Sequence, residues 1–185
     1  PNAGEMTGLT RDIRFRGVSF DYHAERRGKP DQSDEALGRP VLDGIDLDVQ
    51  AGEVIAIVGR TGAGKSTLVE LVLRFHDPTE GSIEVDGIDL RDLKRTSFLD
   101  NVALVTQEPF LFDESIRENI RYGRPESSDE EVHAAAVAAS ADDFITALPE
   151  GYDTLAGEFG LRLSGGQRQR ITIARAILAN ASILV

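Results

Sequence analysis

Residues 59–66 read Gly59-Arg60-Thr61-Gly62-Ala63-Gly64-Lys65-Ser66 and match the spacing G-x-x-x-x-G-K-[ST] at every fixed position. These residue types, so spaced, suit the binding of a polyphosphate. Glycine lets the backbone come close to phosphate oxygens and take positive φ. N–H groups from Gly62 through Thr67 would converge at a helix N-terminus, where the helix dipole favours an anion. Lys65 is placed to reach the β- and γ-phosphates, and the Ser66 hydroxyl to ligate Mg²⁺. Gly59, Thr61, Gly62, Ala63, Gly64, Lys65, Ser66 and Thr67 are therefore the candidate phosphate site. The plain alternative is a glycine-rich turn that starts a helix. The loop does not choose among kinases, GTPases, helicases and motors, because a fold does not settle function.

A second motif narrows the choice. Leu163-Ser164-Gly165-Gly166-Gln167-Arg168-Gln169-Arg170 precedes a helical pattern and offers a hydroxyl, exposed backbone N–H groups and a helix N-terminus. The stretch resembles the signature sequence of ABC ATPases. The resemblance runs from about residue 12 to residue 185 and implies that Ser164, Gly165, Gly166 and Gln167 close on the γ-phosphate of ATP held by a facing second domain. That implies a head-to-tail dimer with two ATP molecules between the subunits. The bland alternative is an ordinary glycine-containing helix start.

Smaller matches point the same way. Tyr22 stands where the family places an aromatic that stacks on adenine, against the alternative of a core tyrosine. Gln107, after Val102-Ala103-Leu104-Val105-Thr106, resembles the family's Q-loop glutamine, which contacts Mg²⁺ and the attacking water; a surface glutamine is the alternative. Gln107 and Lys65 are the catalytic candidates, Ser66 and Gln107 the metal ligands, and ATP and Mg²⁺ the implied cofactors. Thr154-Leu155-Ala156-Gly157-Glu158 resembles the loop that touches the membrane domain in exporters, followed by Phe159 where the family usually has Arg. In Arg162, Arg168, Arg170 and Arg175 the alternatives are phosphate contacts or a solvated helix face. His23, His76 and His133 are scattered, without the spacing of a metal pair.

The elements that must position these residues follow from periodicity. Ile13, Phe15 and Val18-Ser19-Phe20 suggest a strand, and Ile45, Leu47 and Val49 alternate with polar residues as in a half-buried one. Val54-Ile55-Ala56-Ile57-Val58 is continuously apolar, as a strand buried on both faces should be. A helix is expected over Lys65–Phe75, a hairpin around Asp86-Gly87, and a strand at Val102–Val105. Helices are expected at Ser115–Arg121, Asp129–Ser140 and Asp142–Leu148, then from Gly166 to about Ala179, before an apolar strand at Ile183-Leu184-Val185. Residues 1–11 read as a tail or linker and residues 23–40 as a surface loop. The fold class is α/β. It resembles a RecA-like P-loop core with an N-terminal antiparallel β subdomain, a helical insertion over about 109–165 and an incomplete C-terminal part.

Composition sets the limits. The 185 residues carry a net charge of −12, are 41% hydrophobic and 28% charged, and include no cysteine. That excludes disulfides and thiolate metal sites and speaks against a nucleic-acid partner. No apolar run reaches the roughly 20 residues of a membrane span. The resemblance implies the motor domain of a membrane transporter at the cytoplasmic face of the cell membrane, with a transmembrane domain and a second ATP-binding domain as partners. Pro109-Phe110-Leu111-Phe112, Ser115 to Ile120 and Gly151-Tyr152-Asp153-Thr154 are most similar to exporters. An importer's separate ATPase subunit, or a soluble ATPase of DNA repair or translation, are the other readings. In the family the terminal strand runs on into the Asp that supports Mg²⁺ and the Glu that acts as general base. From that follow the expectations of poor hydrolysis by this chain alone and an exposed apolar edge at Val54–Val58.

Overall fold

The computed structural model describes residues 4–22 and 40–185. The expected surface loop at 23–40 lies outside the described residues except for residue 40, and so does His23. The chain forms two compact units, Pro1–Asn101 and Val102–Val185.

The first unit is built on an antiparallel sheet. Strands β1 (Asp12–Phe20), β2 (Leu42–Gln50), β3 (Glu80–Val85) and β4 (Ile88–Asp89) lie in the order β2-β1-β3-β4. In β1 the buried apolar residues are Ile13, Phe15, Val18 and Phe20, so their alternation slips by one between Phe15 and Val18. The ladder shifts register at that point, where Gly17 has φ 55°. Asp86 (φ 51°) and Gly87 (φ 82°) make the expected two-residue hairpin turn between β3 and β4.

Residues 4–11, expected as a tail or linker, are hydrogen-bonded into this unit. The Asp86 carboxylate accepts from the N–H groups of Thr10 (2.9 Å), Arg11 (2.6 Å) and Asp12 (3.1 Å) and from the Thr10 hydroxyl (2.8 Å). Upstream, Met6 is buried and its N–H donates to Ser97 Oγ at 2.6 Å. Gly4 bonds to Asp92 and Lys94. The anchors are mostly backbone groups, which a composition of small polar residues does not reveal.

One expectation fails. Val54–Val58 is not a strand: no described residue pairs with it, and Val54 and Val58 are 96% and 86% exposed. Strand structure is a property of a pair, since each N–H and C=O needs a partner on a neighbouring segment. The apolar run records what the side chains favour without supplying that neighbour. The expected sheet edge at this run therefore does not form either, although its residues are exposed. Helix α1 (Lys65–Val72) follows and is shorter than expected, because Arg74 takes φ 55° and ends it. A five-residue helix, α2 (Arg95–Leu99), closes the unit.

In the second unit β5 (Val102–Ala103) pairs in parallel with β6 (Ile183–Leu184). The pairing extends through Val105 N–H to Val185 O at 2.8 Å. Between the two strands lie α3 (Ile116–Arg121), α4 (Asp129–Ala138), α5 (Asp142–Thr146) and α6 (Gly165–Ala179). Helix α6 packs on α3 and α4 around a core that includes Leu111, Ile116, Ile120, Val132, Ile145, Ile171 and Leu178. Ala135, Ala136 and Ala174 keep that packing close. Ser115, Ser128 and Ser164 cap α3, α4 and α6, the last two as reciprocal boxes with Glu131 and Gln167. Both units together make the fold α/β. Among the described residues no helix is long and apolar enough to cross a membrane, and no acidic, histidine or cysteine cluster is suited to a metal.

Candidate functional site

The phosphate loop leads from the Val54–Val58 segment into α1 within the first unit. Gly64 is the pivot. It is buried, has φ 84°, and a Cβ on it would stand 2.8 Å from Leu42 Cδ2 and 2.9 Å from Val41 O. Only glycine fits there. Because Gly64 is also the N-cap, no side chain caps the first turn of α1, and that turn carries no acidic residue. The N–H groups at the start of α1 are thereby offered to an outside acceptor. Leu68 N–H closes the first turn on Gly64 O at 2.9 Å.

Lys65 bends back over the loop. Its Nζ donates to Gly59 O and Arg60 O, each at 2.9 Å. An ammonium has three donors, so these bonds position the charge and leave a donor for a phosphate oxygen. Ser66 is exposed beside it, whereas Thr67 is buried. The geometry suits an anion with several oxygens: backbone N–H groups, one fixed cation, one hydroxyl and no carboxylate in the first turn.

Tyr22 comes to the same place. Its hydroxyl lies 3.0 Å from Thr67 Oγ1 and donates to Glu70 Oε2 at 2.8 Å. The candidate aromatic and the phosphate loop are therefore joined in one unit. Glu70 and His76, which line this tyrosine, were not singled out from the sequence. The available signal was the three-residue spacing of Thr67 and Glu70, which puts them on one helical face.

Gln107 and the Ser164–Gln167 motif belong to the second unit. Gln107 is exposed just beyond the β5 segment, in a turn where Thr106 Oγ1 donates to Glu108 O at 2.7 Å. Ser164 Oγ accepts from Gln167 N–H at 3.3 Å, and Gln167 Oε1 accepts from Ser164 N–H at 2.8 Å. Gly165 and Gly166 follow, both exposed and helical. A methyl group on Gly166 would meet nothing within 4 Å, and on Gly165 only a side-chain nitrogen of Arg168 at 3.9 Å. Neither has positive φ. Glycine costs a helix up to about 1 kcal/mol relative to alanine. Since nothing among the described residues requires glycine at these positions, its use fits the close approach of something from outside.

The basic cluster serves mostly internal bonds. Arg168 donates to Leu163 O at 2.6 Å, Arg170 to Ser140 O at 3.1 Å, and Arg175 to the Asn119 backbone O at 2.8 Å. Burial pushes the Arg175 pKa down. The 154–158 loop is stitched to the start of α3 by Ile116 N–H to Thr154 O and Ala156 N–H to Glu114 O, each 3.0 Å. Phe159 follows at φ 51°, exposed, with its ring 5.7 Å from that of Phe110.

A glycine-pivoted phosphate loop opening a helix, with a second helix start shaped for close approach, defines a P-loop nucleotide-binding fold. The family model described as ABC transporter matches residues 42–185, and the chain belongs to the ABC transporter family. It is 56% identical over 174 residues to an ATP-dependent lipid A-core flippase of Thiobacillus denitrificans (strain ATCC 25259 / T1), covering 94% of this chain and 28% of that protein. It is 48% identical over 184 residues to the beta-(1-->2)glucan export ATP-binding/permease protein NdvA of Rhizobium meliloti (strain 1021), covering 100% of this chain and 29% of the relative. A solved bacterial Atm1-family ABC exporter with ATP bound superposes with a TM-score of 0.87 at 43% identity, over 100% of this chain and 30% of that one. The chain thus spans less than a third of the length of these relatives.

Proposed function

We propose that this chain is the ATP-binding and ATP-hydrolysing motor of an exporter, working at the cytoplasmic face of a membrane together with a transmembrane domain. The observation that carries the proposal is the presence, in one chain, of a glycine-rich loop opening a helix with no side-chain cap and a Ser164-Gly165-Gly166 helix start whose glycines are not crowded by any of the described residues. The export named for NdvA and for the Atm1-family exporter supports the direction of transport. Gly59, Thr61, Gly62, Ala63, Gly64, Lys65, Ser66 and Thr67 would cradle the triphosphate. Tyr22 would lie against the base. Ser66 would be a ligand of Mg²⁺, which would supply positive charge to the phosphates, and Gln107 is the further ligand that the family resemblance implies. Ser164 to Gln167 of a second copy would complete each site from across a head-to-tail interface. Closure on ATP and opening after hydrolysis would move the transmembrane domain through the 154–158 loop.

Mixed dimers of the full-length protein test the composite site. Lys65→Ala and Ser164→Ala copies are each expected to lose tightly held Mg·ATP. In a mixed dimer one site combines both defects, while the other combines an intact Lys65 with an intact Ser164. Each mixed dimer should therefore retain ATP at one of its two sites. Mixed dimers that stay as empty as either parent would mean that each copy uses its own Ser164, and the composite reading would fail.

A further inference from the structure

Three aromatic rings and two hydrogen-bonding side chains meet behind the phosphate loop. The Phe20 ring, fully buried, stands at 86° to Tyr22 with centroids 4.8 Å apart. His76 stands at 87° to Tyr22 at 5.5 Å, and lies 5.4 Å from Phe20. Neither ring stacks parallel to Tyr22, so both hold it by edge-to-face contact. A phenol has one proton, and an ionised carboxylate only accepts. Tyr22 therefore gives its proton to Glu70 Oε2 at 2.8 Å, and the Thr67 hydroxyl, 3.0 Å away, must be the donor in its contact with Tyr22. His76 Nε2 lies 4.0 Å from the same Glu70 oxygen. Thr67 is buried in the first turn of α1, the helix that the phosphate loop opens.

We propose that Glu70 and His76 are positioning residues for nucleotide recognition: they lock the Tyr22 ring in register with the phosphate loop, so that the nucleobase meets a surface already in place. The proposal rests on the ATP-binding reading of the loop. Two edge-on neighbours and a committed hydroxyl remove the rotamer freedom that a half-exposed tyrosine would otherwise lose on binding, which is how preorganisation raises affinity. The hydroxyl chain Thr67 to Tyr22 to Glu70 also ties the base site to the helix that presents the phosphate donors. Glu70 and His76 touch no ligand in this scheme and act through Tyr22.

Binding of two probes to the full chain separates the roles: ATP, and inorganic triphosphate, which has the phosphates without the base. Glu70→Ala and His76→Ala should weaken ATP binding about tenfold, the scale of one lost hydrogen bond or ring contact. Both should bind triphosphate as the parent does. Glu70→Gln keeps an acceptor for the Tyr22 hydroxyl and should restore ATP affinity. ATP affinity unchanged in Glu70→Ala overturns the proposal, as does an equal loss for both probes, since Glu70 would then support the loop alone. A parent chain that binds neither probe defeats the nucleotide reading itself, and the proposal with it. Circular dichroism establishes folding for each variant. Should the Ala variant be unfolded, His76→Ala and Glu70→Gln still discriminate, because a folded His76→Ala chain with parental ATP affinity overturns the proposal on its own.

Discussion

Gly166→Ala separates what the chain needs for itself from what it offers to a partner. A methyl group at this position meets no atom within 4 Å, and the residue already has helical geometry at the second position of α6. Replacing glycine by alanine in a helix gains up to about 1 kcal/mol. In a chain of this size about 1 kcal/mol moves the melting temperature by roughly 2–4 °C. The variant should therefore melt at or slightly above the parent's temperature. Function should go the other way. If Gly166 is glycine so that a facing nucleotide can approach its backbone, one methyl group holds the phosphate off, and misplacement on this scale costs about 100-fold in turnover. The contrast is Gly64→Ala, where a Cβ lands 2.8 Å from Leu42 Cδ2 at φ 84°. A left-handed alanine costs about 1–2 kcal/mol, and overpacking about 1–3 more, so this variant should lose stability before function is considered. Thermal melts followed by circular dichroism, with phosphate release from ATP in the full-length protein, read both quantities. Wild-type turnover by a well-folded Gly166→Ala protein would refute the reasoning, because the glycine would then have no outside ligand.

Further outcomes follow from the packing. Partial burial pushes the Asp86 carboxyl up, but the N–H groups of Thr10, Arg11 and Asp12 and the Thr10 hydroxyl outweigh it and hold the pKa below the usual value. A depressed carboxylate contributes stability that is present above the unfolded pKa, near about 4, and is lost as pH falls through the folded one. The protection factors of the amides at residues 10–12, measured against the intrinsic exchange rate at each pH, should fall on acidification below about pH 4 in the parent, and lose this acid dependence in Asp86→Asn. Asn119 is fully buried and bonds to Phe112 N–H and O, to Glu114 O and Ser115 O, and to Arg175. Asn119→Ala strands those groups and should cost about 2–4 kcal/mol in a denaturant titration. Val54 is 96% exposed, so Val54→Lys should change stability by less than about 0.5 kcal/mol. The same variant should slow aggregation of the 185-residue chain in light scattering, by placing a charge in an exposed apolar run.

What was legible in the sequence divides along a physical line. Patterns that act through nearest neighbours were readable. Asp86-Gly87 needs only its own dihedral preferences to make a turn. The phosphate loop was readable for the same reason, since Gly62, Gly64 and Lys65 act within a few residues of one another. Patterns that depend on distant partners were not. Val54–Val58 has the residues of a buried strand, yet pairing is decided by what lies beside it. The segment at 4–11 has the composition of a linker, yet Asp86, Ser97 and Asp92 hold it through backbone groups that every residue carries. Glu70 and His76 reach Tyr22 from across roughly fifty positions of chain, and although the spacing of Thr67 and Glu70 puts them on one helical face, it does not name the partner. The phosphate loop is therefore local information, whereas the setting of Tyr22 beside it is tertiary. It follows that substitutions within 59–66 should weaken ATP and inorganic triphosphate alike, and substitutions around Tyr22 should weaken ATP and leave triphosphate unchanged.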